Sequence, residues 1–190
     1  LIFIANPNNP TGTWVDSNDL RNLLEKIPDN IIVLVDEAYF EYARTEEEYP
    51  DCSQWVNDFD NLIVTRTFSK AYGLAALRIG YSLSHPDIAN LLNRVRQPFN
   101  NNSLALIAAE VALQDTQYIR KSIELNSDEM NKLIQAFDNM GLEYIPSKAN
   151  FICVDFKQPS LEIYQNLLKA GVIVRPISDY GMPNHLRISI

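Results

Sequence analysis

The first half of the chain alternates short apolar runs with amphipathic segments. The runs, each four or five residues long, lie at residues 1–5, 31–35, 62–65 and 79–83. Nearly continuous apolar runs of this length are typical of strands covered on both faces of a sheet. Between the first two runs, after a capping residue at Asp16 or Ser17, apolar residues recur at helical spacing: Leu20, Leu23, Leu24 and Ile27. A second helix is predicted after Ser84-His85-Pro86, with an apolar face that points inward: Ile88, Leu91, Leu92 and Val95. The pattern predicts an α/β fold with a mostly parallel sheet and helices on both faces.

The second half of the chain follows a different pattern. An alanine-rich helix, expected to be buried, is predicted over Ser103–Gln114, and a longer one over residues 118–140. A strand, a helix and two further strands follow, which predicts a small α+β C-terminal domain. We therefore expect two domains, residues 1–116 and 117–190. Because both ends of the chain lie in apolar runs and it begins without Met, we expect a part of a longer protein, truncated at the end of its second domain.

Composition narrows the classes of function. The chain has 190 residues, of which 46% are hydrophobic, and a formal net charge of −8. This negative charge argues against non-specific binding to nucleic acid or to anionic membranes, and no apolar run reaches the length of about 20 residues that spans a bilayer. The two cysteines are far apart and the two histidines lack ligand partners at helical spacing. We therefore expect no metal site and no disulfide, as in a reduced cytoplasmic protein.

Polar and charged side chains follow the predicted strands of the first domain. Ligands bind outside the carboxyl ends of parallel strands, so we expect these side chains to converge on one rim of the sheet. They are Asn9, Asp36, Tyr39, Thr67, Ser69 and Lys70, and Arg78, at the start of the fourth strand, joins them at the same rim. Taken singly, each has an ordinary alternative role, such as an asparagine in a turn, a threonine that favours a strand, or a lysine at the surface.

Three ordered motifs carry a resemblance to a known family. The stretches NPNNPTG, VDEAYFEY and RTFSKAYGLAALRIGY resemble those of the fold type I pyridoxal-phosphate aminotransferases, and among them most of all the histidinol-phosphate aminotransferases. The resemblance covers essentially the whole chain. It implies the later part of the cofactor-binding large domain followed by most of the small domain, with the N-terminal half absent. Ala76 departs from the pattern, since relatives usually have glycine there.

The resemblance implies roles for the catalytic residues. Lys70 would hold the aldehyde of pyridoxal 5'-phosphate covalently and would carry the proton that moves during transamination. Asp36 would pair with the protonated pyridine nitrogen, which makes the ring a better electron acceptor. Tyr39 and Asn9 would hydrogen-bond the phenolic oxygen of the cofactor.

The resemblance also implies two groups of anion-binding residues. Thr67, Ser69 and Arg78 would hold the cofactor phosphate through two hydroxyls and a guanidinium. In the second domain, Arg175 and Arg187 each lie within an apolar strand, where a buried arginine needs an anion. They would bind the phosphate and carboxylate of the substrates, with Asn9 beside them. The alternative for both arginines is an edge strand on which they face solvent.

The implied reaction moves the amino group of histidinol phosphate to 2-oxoglutarate, in histidine biosynthesis, within a cytoplasmic homodimer. Its partners would be a small-molecule amino donor and a 2-oxo acid, without nucleic acid or membrane. Three alternatives remain open. The first is another enzyme with the same cofactor, either an aromatic or branched-chain aminotransferase or a decarboxylase of phosphorylated amino acids. The second is a non-catalytic aminotransferase-like sensor domain. The third, a nucleotide-binding domain, is disfavoured because the sequence has neither GxGxxG nor GxxxxGK[ST].

Overall fold

The chain divides into two compact units. A computed structural model describes all residues, Leu1–Ile190. Unit 1 consists of Leu1–Pro7 and Val15–Ile123, and unit 2 of Asn8–Trp14 and Glu124–Ile190. The boundary predicted between residues 116 and 117 stays a prediction; in the structure it falls at the start of a helix that continues to Met140.

A four-stranded sheet forms the centre of unit 1. Its strands lie in the order β1 (Ile2–Ala5), β2 (Val33–Asp36), β3 (Leu62–Thr67) and β4 (Gly80–Ser84). β1, β2 and β3 are parallel, and β4 is antiparallel to β3. The sheet is therefore mostly parallel, as predicted, with one antiparallel edge strand. Because β4 runs in the opposite direction, it begins at the edge of the sheet where β2 and β3 end.

Helix α1 (Ser17–Leu24) covers one face of this sheet, and the short helix α2 (Phe40–Ala43) follows β2 in the chain. Helix α1 begins after Asp16, whose carboxylate accepts a hydrogen bond of 2.9 Å from the N–H of Asp19. Leu20 and Leu24 are buried in a core built from alternate residues of β2 and β3: Val33, Val35, Leu62 and Val64. Leu23, predicted on the same face, is 44% exposed. It lies about 100° around the helix from Leu24, which turns it away from the sheet.

The opposite face of the sheet is lined by α3 (Pro86–Val95). Ile63 points away from the core beneath α1, since side chains alternate along a strand. Together with apolar residues of α3, it lines a cleft of about 480 Å³. Helices therefore lie on both faces, as predicted. The expected burial of the apolar face of α3 is wrong, however, because three of its members are exposed: Leu91, Leu92 and Val95.

Helix α4 (Ser103–Gln114) also differs from its prediction. Its small residues Ala105 and Ala109 are buried against Phe68 and Ile79. Its large apolar side chains are exposed, namely Leu104, Leu106, Ile107, Val111 and Leu113. The expected burial of the whole helix is therefore wrong. A helix that is apolar all round buries only the side that contacts the sheet, and in this chain no other element covers the rest.

Unit 2 is an antiparallel sheet packed against helices. Its strands are β5 (Glu143–Ile145), β6 (Phe151–Asp155), β7 (Arg175–Pro176) and β8 (His185–Ser189), in the order β5-β6-β8-β7. Met130 and Phe137 of α5 (Thr116–Met140) pack against Ile152 and Val154 of β6. A last helix, α6 (Leu161–Lys169), lies between β6 and β7 in the chain. The sequence did not predict the short strand β5.

A loop near the N-terminus, Asn8–Trp14, belongs to unit 2. The carbonyl of Gly12 accepts a hydrogen bond of 2.9 Å from the N–H of Lys148. Gly12 has a φ of +75°, and a Cβ atom there would lie 1.9 Å from Oγ of Ser147. Glycine is therefore required on both conformational and steric grounds. None of the helices in either unit combines the length and the apolar character that crossing a membrane requires.

We expect Leu20→Ala to destabilise the protein by about 2–5 kcal/mol, because it leaves a cavity in the core beneath α1. The matched control Leu23→Ala, on the exposed side of the same helix, should cost about 1 kcal/mol or less. Urea unfolding followed by circular dichroism measures both changes. Equal losses in the two variants would contradict the assignment of the buried face.

Candidate functional site

A cleft of about 630 Å³ lies in unit 1 at the edge where β2 and β3 end and β4 begins. Five of the predicted site residues line it: Asp36, Thr67, Ser69, Lys70 and Arg78. They come from three separate segments of the chain. The fold brings them together because two parallel strands end at this edge and the antiparallel strand starts there.

Asp36 is the last residue of β2, and its side chain is exposed at the cleft. Its Oδ1 accepts hydrogen bonds from the backbone N–H of Ala38 at 3.1 Å and from the hydroxyl of Thr65 at 3.3 Å. Thr65 is also the register partner of Asp36 on β3. These two donors orient the carboxylate.

Lys70 lies in a turn that directly follows β3. The turn is closed by a hydrogen bond of 2.9 Å from the N–H of Gly73 to the carbonyl of Lys70. Phe68 anchors it from below, since it is buried and its ring centroid lies 4.9 Å from that of Tyr72. The side chain of Lys70 is half-buried, with Nζ 5.3 Å from the ring centroid of the buried Tyr39. Lysine and tyrosine, both predicted to be catalytic, therefore lie side by side.

A cluster of hydrogen-bond donors lies beside Lys70. Oγ1 of Thr67 accepts from the N–H of Ser69 at 3.1 Å, and Nη1 of Arg78 lies 3.5 Å from Oγ of Ser69. A second hydrogen bond, 2.9 Å long, joins the same Nη1 to the carbonyl of Ala75. Two hydroxyls and a guanidinium at such distances are a donor set suited to a phosphate group.

The backbone of Arg78 is in the left-handed region, with φ of 53° and ψ of 50°. A side chain with a Cβ atom adopts this conformation at a cost, and such residues are concentrated at functional sites. The next glycine, Gly80, allows β4 to approach β3 closely, because a Cβ atom there would lie 2.7 Å from the carbonyl oxygen of Arg66. The backbone at this edge thus directs the guanidinium of Arg78 to the cleft.

A buried ion pair lies next to these segments. Glu37 is fully buried, and its Oε2 accepts from Nε of Arg66 at 2.8 Å. Burial raises the pKa of the Glu37 carboxyl above its ordinary value, against the opposing effect of the Arg66 guanidinium. Burial alone would lower the pKa of Arg66, but Glu37 and Asp51 outweigh it and hold that pKa above its ordinary value. Arg66 is therefore charged at any physiological pH.

The remaining predicted residues lie in unit 2. Oδ1 of Asn9 accepts a hydrogen bond of 2.6 Å from Nη1 of Arg187. The guanidinium of Arg187 also lies 4.9 Å from the ring centroid of Phe151, and its Nε is buried without a hydrogen-bond partner. A buried donor without an acceptor is costly, and an anion bound at this guanidinium would satisfy it.

Arg175 is exposed, so its expected burial is wrong. Strand β7 has only two residues and pairs with β8 alone, which leaves Arg175 at the edge of the sheet. Its register partner is Arg187. Like charges directly opposite each other on antiparallel strands repel, so an anion bound between the two side chains would be favourable.

Sequence reasoning missed two polar residues of the cleft, Thr65 and Ser82. They are register partners on β3 and β4, and the hydroxyl of Thr65 donates a hydrogen bond to Asp36. The signal was present as alternation, since Thr65 and Thr67 on β3 are two residues apart, as are Ser82 and Ser84 on β4. This alternation does not show which residues face the cleft unless the pairing of β3 with β4 is known.

Comparison with known proteins identifies the family. The family model described as "Aminotransferase class I and II" matches residues 1–190. The chain belongs to the class I and II aminotransferases. It is 57% identical over 190 residues to histidinol-phosphate aminotransferase 2 of Haemophilus influenzae, and 54% identical to histidinol-phosphate aminotransferase 1 of Nitrosococcus oceani. All of this chain is covered, but only 52% and 51% of those proteins, so it spans about half the length of these relatives.

A crystal structure shares the fold of this aminotransferase chain. It is the histidinol-phosphate aminotransferase from Sinorhizobium meliloti in complex with pyridoxal-5'-phosphate, with a TM-score of 0.90 and 31% sequence identity. The match covers 98% of this chain and 52% of that one. The predicted α/β fold of the aminotransferases is thereby confirmed.

We expect Arg78→Gly to be more stable than Arg78→Ala by about 1 kcal/mol, because glycine adopts the left-handed conformation without the penalty of a Cβ atom. Both variants lack the guanidinium, so the difference in their stabilities comes from the backbone conformation at residue 78. Urea unfolding of the two proteins measures the difference. Equal stabilities would show that the backbone at residue 78 is not strained.

Proposed function

We propose that the protein carrying this chain is a histidinol-phosphate aminotransferase that uses pyridoxal 5'-phosphate. It would move the amino group of histidinol phosphate to 2-oxoglutarate, a step of histidine biosynthesis. One observation carries the proposal: in a chain more than half identical to histidinol-phosphate aminotransferases, an amine, a carboxylate and a donor set suited to a phosphate line one cleft.

The donor set of the cleft fits pyridoxal phosphate. The cofactor presents an aldehyde, a basic ring nitrogen and a phosphate, which call for an amine, a carboxylate and a set of cationic and hydroxyl donors. Lys70 and Asp36 supply the first two, and the third consists of Thr67, Ser69 and Arg78. The cleft volume of about 630 Å³ lies within the range of small-molecule sites.

The residues of unit 1 would divide the work of transamination. Bound pyridoxal phosphate supplies an acceptor for the electrons released when a bond at the substrate's α-carbon breaks. Nζ of Lys70 would hold the cofactor and then move the proton at the α-carbon. Asp36, oriented by Ala38 and Thr65, would keep the ring nitrogen protonated. Tyr39, whose ring lies beside Lys70, would orient the cofactor through its hydroxyl.

By resemblance to the family, residues of unit 2 would bind the substrate. We assign Arg187 to the carboxylate or phosphate of the substrate, because its buried Nε has no other acceptor. Arg175, opposite it on β7, would contact the same anion. Asn9, hydrogen-bonded to Arg187, would contact both substrate and cofactor. The amino donor and the 2-oxo acid are thus the partners of the site, in a cytoplasmic homodimer, an assembly and a location that rest on the family resemblance.

We expect Lys70→Ala to abolish covalent attachment of the cofactor without unfolding the protein. Borohydride reduction in the presence of pyridoxal phosphate, followed by peptide mass spectrometry, should place a pyridoxyl group on Lys70 in the wild type and nowhere in the variant. Lys121→Ala, which removes an exposed lysine of α5, should be labelled at Lys70 like the wild type. Labelling spread over several lysines, or retained in Lys70→Ala, would refute the assignment.

Substrate preference tests the reaction itself. With histidinol phosphate as the amino donor, we expect the holoprotein's visible cofactor absorbance to convert to that of the amine form, and 2-oxoglutarate to reverse it. Phenylalanine, leucine and phosphothreonine serve as comparison substrates for the other reactions of the family. If one of these compounds converts the absorbance and histidinol phosphate does not, that compound is the substrate and the proposed reaction is wrong. Cofactor bound without conversion by any substrate would favour a sensor domain.

A further inference from the structure

A buried ion pair, Glu37 with Arg66, lies next to the cleft. We propose that Glu37 and Arg66 are positioning residues that set the placement of Asp36 relative to Lys70. This inference rests on the proposed function, since it concerns how the cleft holds pyridoxal phosphate. Neither residue is expected to contact the cofactor.

The location of the pair follows from the strands. Glu37 follows Asp36 in the chain, and Arg66 lies between Thr65 and Thr67 on β3. Asp36 and Thr65 are register partners, and the N–H of Glu37 donates to the carbonyl of Thr65 at 2.9 Å, which continues the parallel ladder. Side chains alternate between the faces of a sheet. Asp36, Thr65 and Thr67 therefore point to one face, and their neighbours Glu37 and Arg66 point to the other.

The guanidinium of Arg66 is held from several directions. Nη2 lies 2.6 Å from Oε2 of Glu37 and 2.6 Å from Oδ1 of Asp51, and the guanidinium carbon lies 3.4 Å from the ring centroid of Phe40. The side chain is 9% exposed, and although Arg66 borders the cleft, its charge is directed to these partners. Because the guanidinium is planar and its acceptors are fixed, the orientation of the Arg66 side chain is fixed as well.

Glu37 connects the pair to a further segment. Its Oε1 accepts a hydrogen bond of 3.0 Å from the backbone N–H of Cys52, so the carboxylate joins the end of β2, strand β3 and the turn at Cys52. The carboxylate of Asp36, by contrast, is exposed and held by two weaker contacts of 3.1 Å and 3.3 Å. The rigid contacts beneath the backbone, rather than those at the carboxylate, therefore determine where Asp36 stands.

A buried ion pair usually adds little to the net stability of a protein. Well-packed apolar residues in its place are often as stable or more stable, because they avoid the cost of removing two charges from water. What such residues cannot reproduce is the directional link between the ends of β2 and β3. This difference separates a positioning role from a structural one.

Four variants of the holoprotein test the proposal: Glu37→Gln, Arg66→Lys, Glu37→Met combined with Arg66→Met, and, as a control, Arg21→Lys. The control changes an exposed ion pair of similar length, 2.9 Å, between Arg21 and Asp58. Three measurements apply to each protein: the thermal unfolding midpoint, the pH midpoint of the visible absorbance of bound pyridoxal phosphate without substrate, and kcat and KM with histidinol phosphate.

If the pair has a positioning role, variants that remain as stable as the wild type should still lose activity. In Arg66→Lys we expect kcat to fall by about 10-fold to 100-fold with KM nearly unchanged, as for a small misplacement of reacting groups. The absorbance midpoint should shift in the same variant and stay constant in Arg21→Lys. The double methionine variant should unfold near the wild-type temperature while kcat stays low. Should that variant not fold, Glu37→Gln, which keeps the shape of the side chain, provides the comparison.

Specific results would overturn the proposal. A folded Arg66→Lys or Glu37→Gln protein with wild-type kcat and absorbance midpoint would do so, as would recovery of kcat in the double methionine variant. The absorbance titration needs no substrate, so it also separates this inference from the proposed function. A wild type that binds pyridoxal phosphate at Lys70 but leaves histidinol phosphate unreacted would refute only the reaction, and the midpoints would still decide the role of the pair.

Discussion

The pairing of β2 with β3 is the constraint on which the site depends. Asp36 lies opposite Thr65, and the ladder continues for one further hydrogen bond, from the N–H of Glu37 to the carbonyl of Thr65. A shift of this register by one residue would turn Asp36 towards the core and Glu37 towards the cleft, because side chains alternate along a strand. The core beneath α1 opposes such a shift of β2, since Val33 and Val35 would leave it.

The direction of β4 adds the second requirement of the cleft. A parallel fourth strand would place its first residues at the far edge of the sheet, away from Lys70. The antiparallel strand instead starts beside the turn that follows β3, and the left-handed backbone of Arg78 brings the guanidinium within 3.5 Å of Ser69. Backbone strain at this residue and the donor cluster beside it are therefore two aspects of one local structure.

The loop that follows β1, Asn8–Trp14, is part of unit 2. Asn6, fully buried in unit 1, accepts from the N–H of Val15 at 2.9 Å and donates to its carbonyl at 3.1 Å, which ties the two ends of the loop together. Between them, Gly12 packs against Ser147 and Asn9 bonds to Arg187. Asn6 thus closes the base of the loop, and Asn9 supplies the polar group that bonds to Arg187.

The amino-acid sequence by itself determined the class of fold, the motifs and five of the residues that line the cleft. Short apolar runs indicated the strands of unit 1, and the residues at their ends included Asp36, Lys70 and Arg78, because polar groups at the end of a buried strand need a partner or a function. Local patterns of this kind depend on neighbours in the chain, so they can be interpreted without coordinates. The same patterns were wrong about Leu23 and about the burial of α3 and α4, since amphipathicity does not specify how much of a helix another element covers.

Only the tertiary structure decided which residues act on one another. The partnership of Glu37 with Arg66, the hydrogen bond from Thr65 to Asp36 and the pairing of Arg175 with Arg187 all join residues that are far apart in the chain. It also showed that β4 is antiparallel and that Arg175 is exposed on a short edge strand. Register, strand direction and burial come from contacts across the sheet, and no local pattern in the sequence records them.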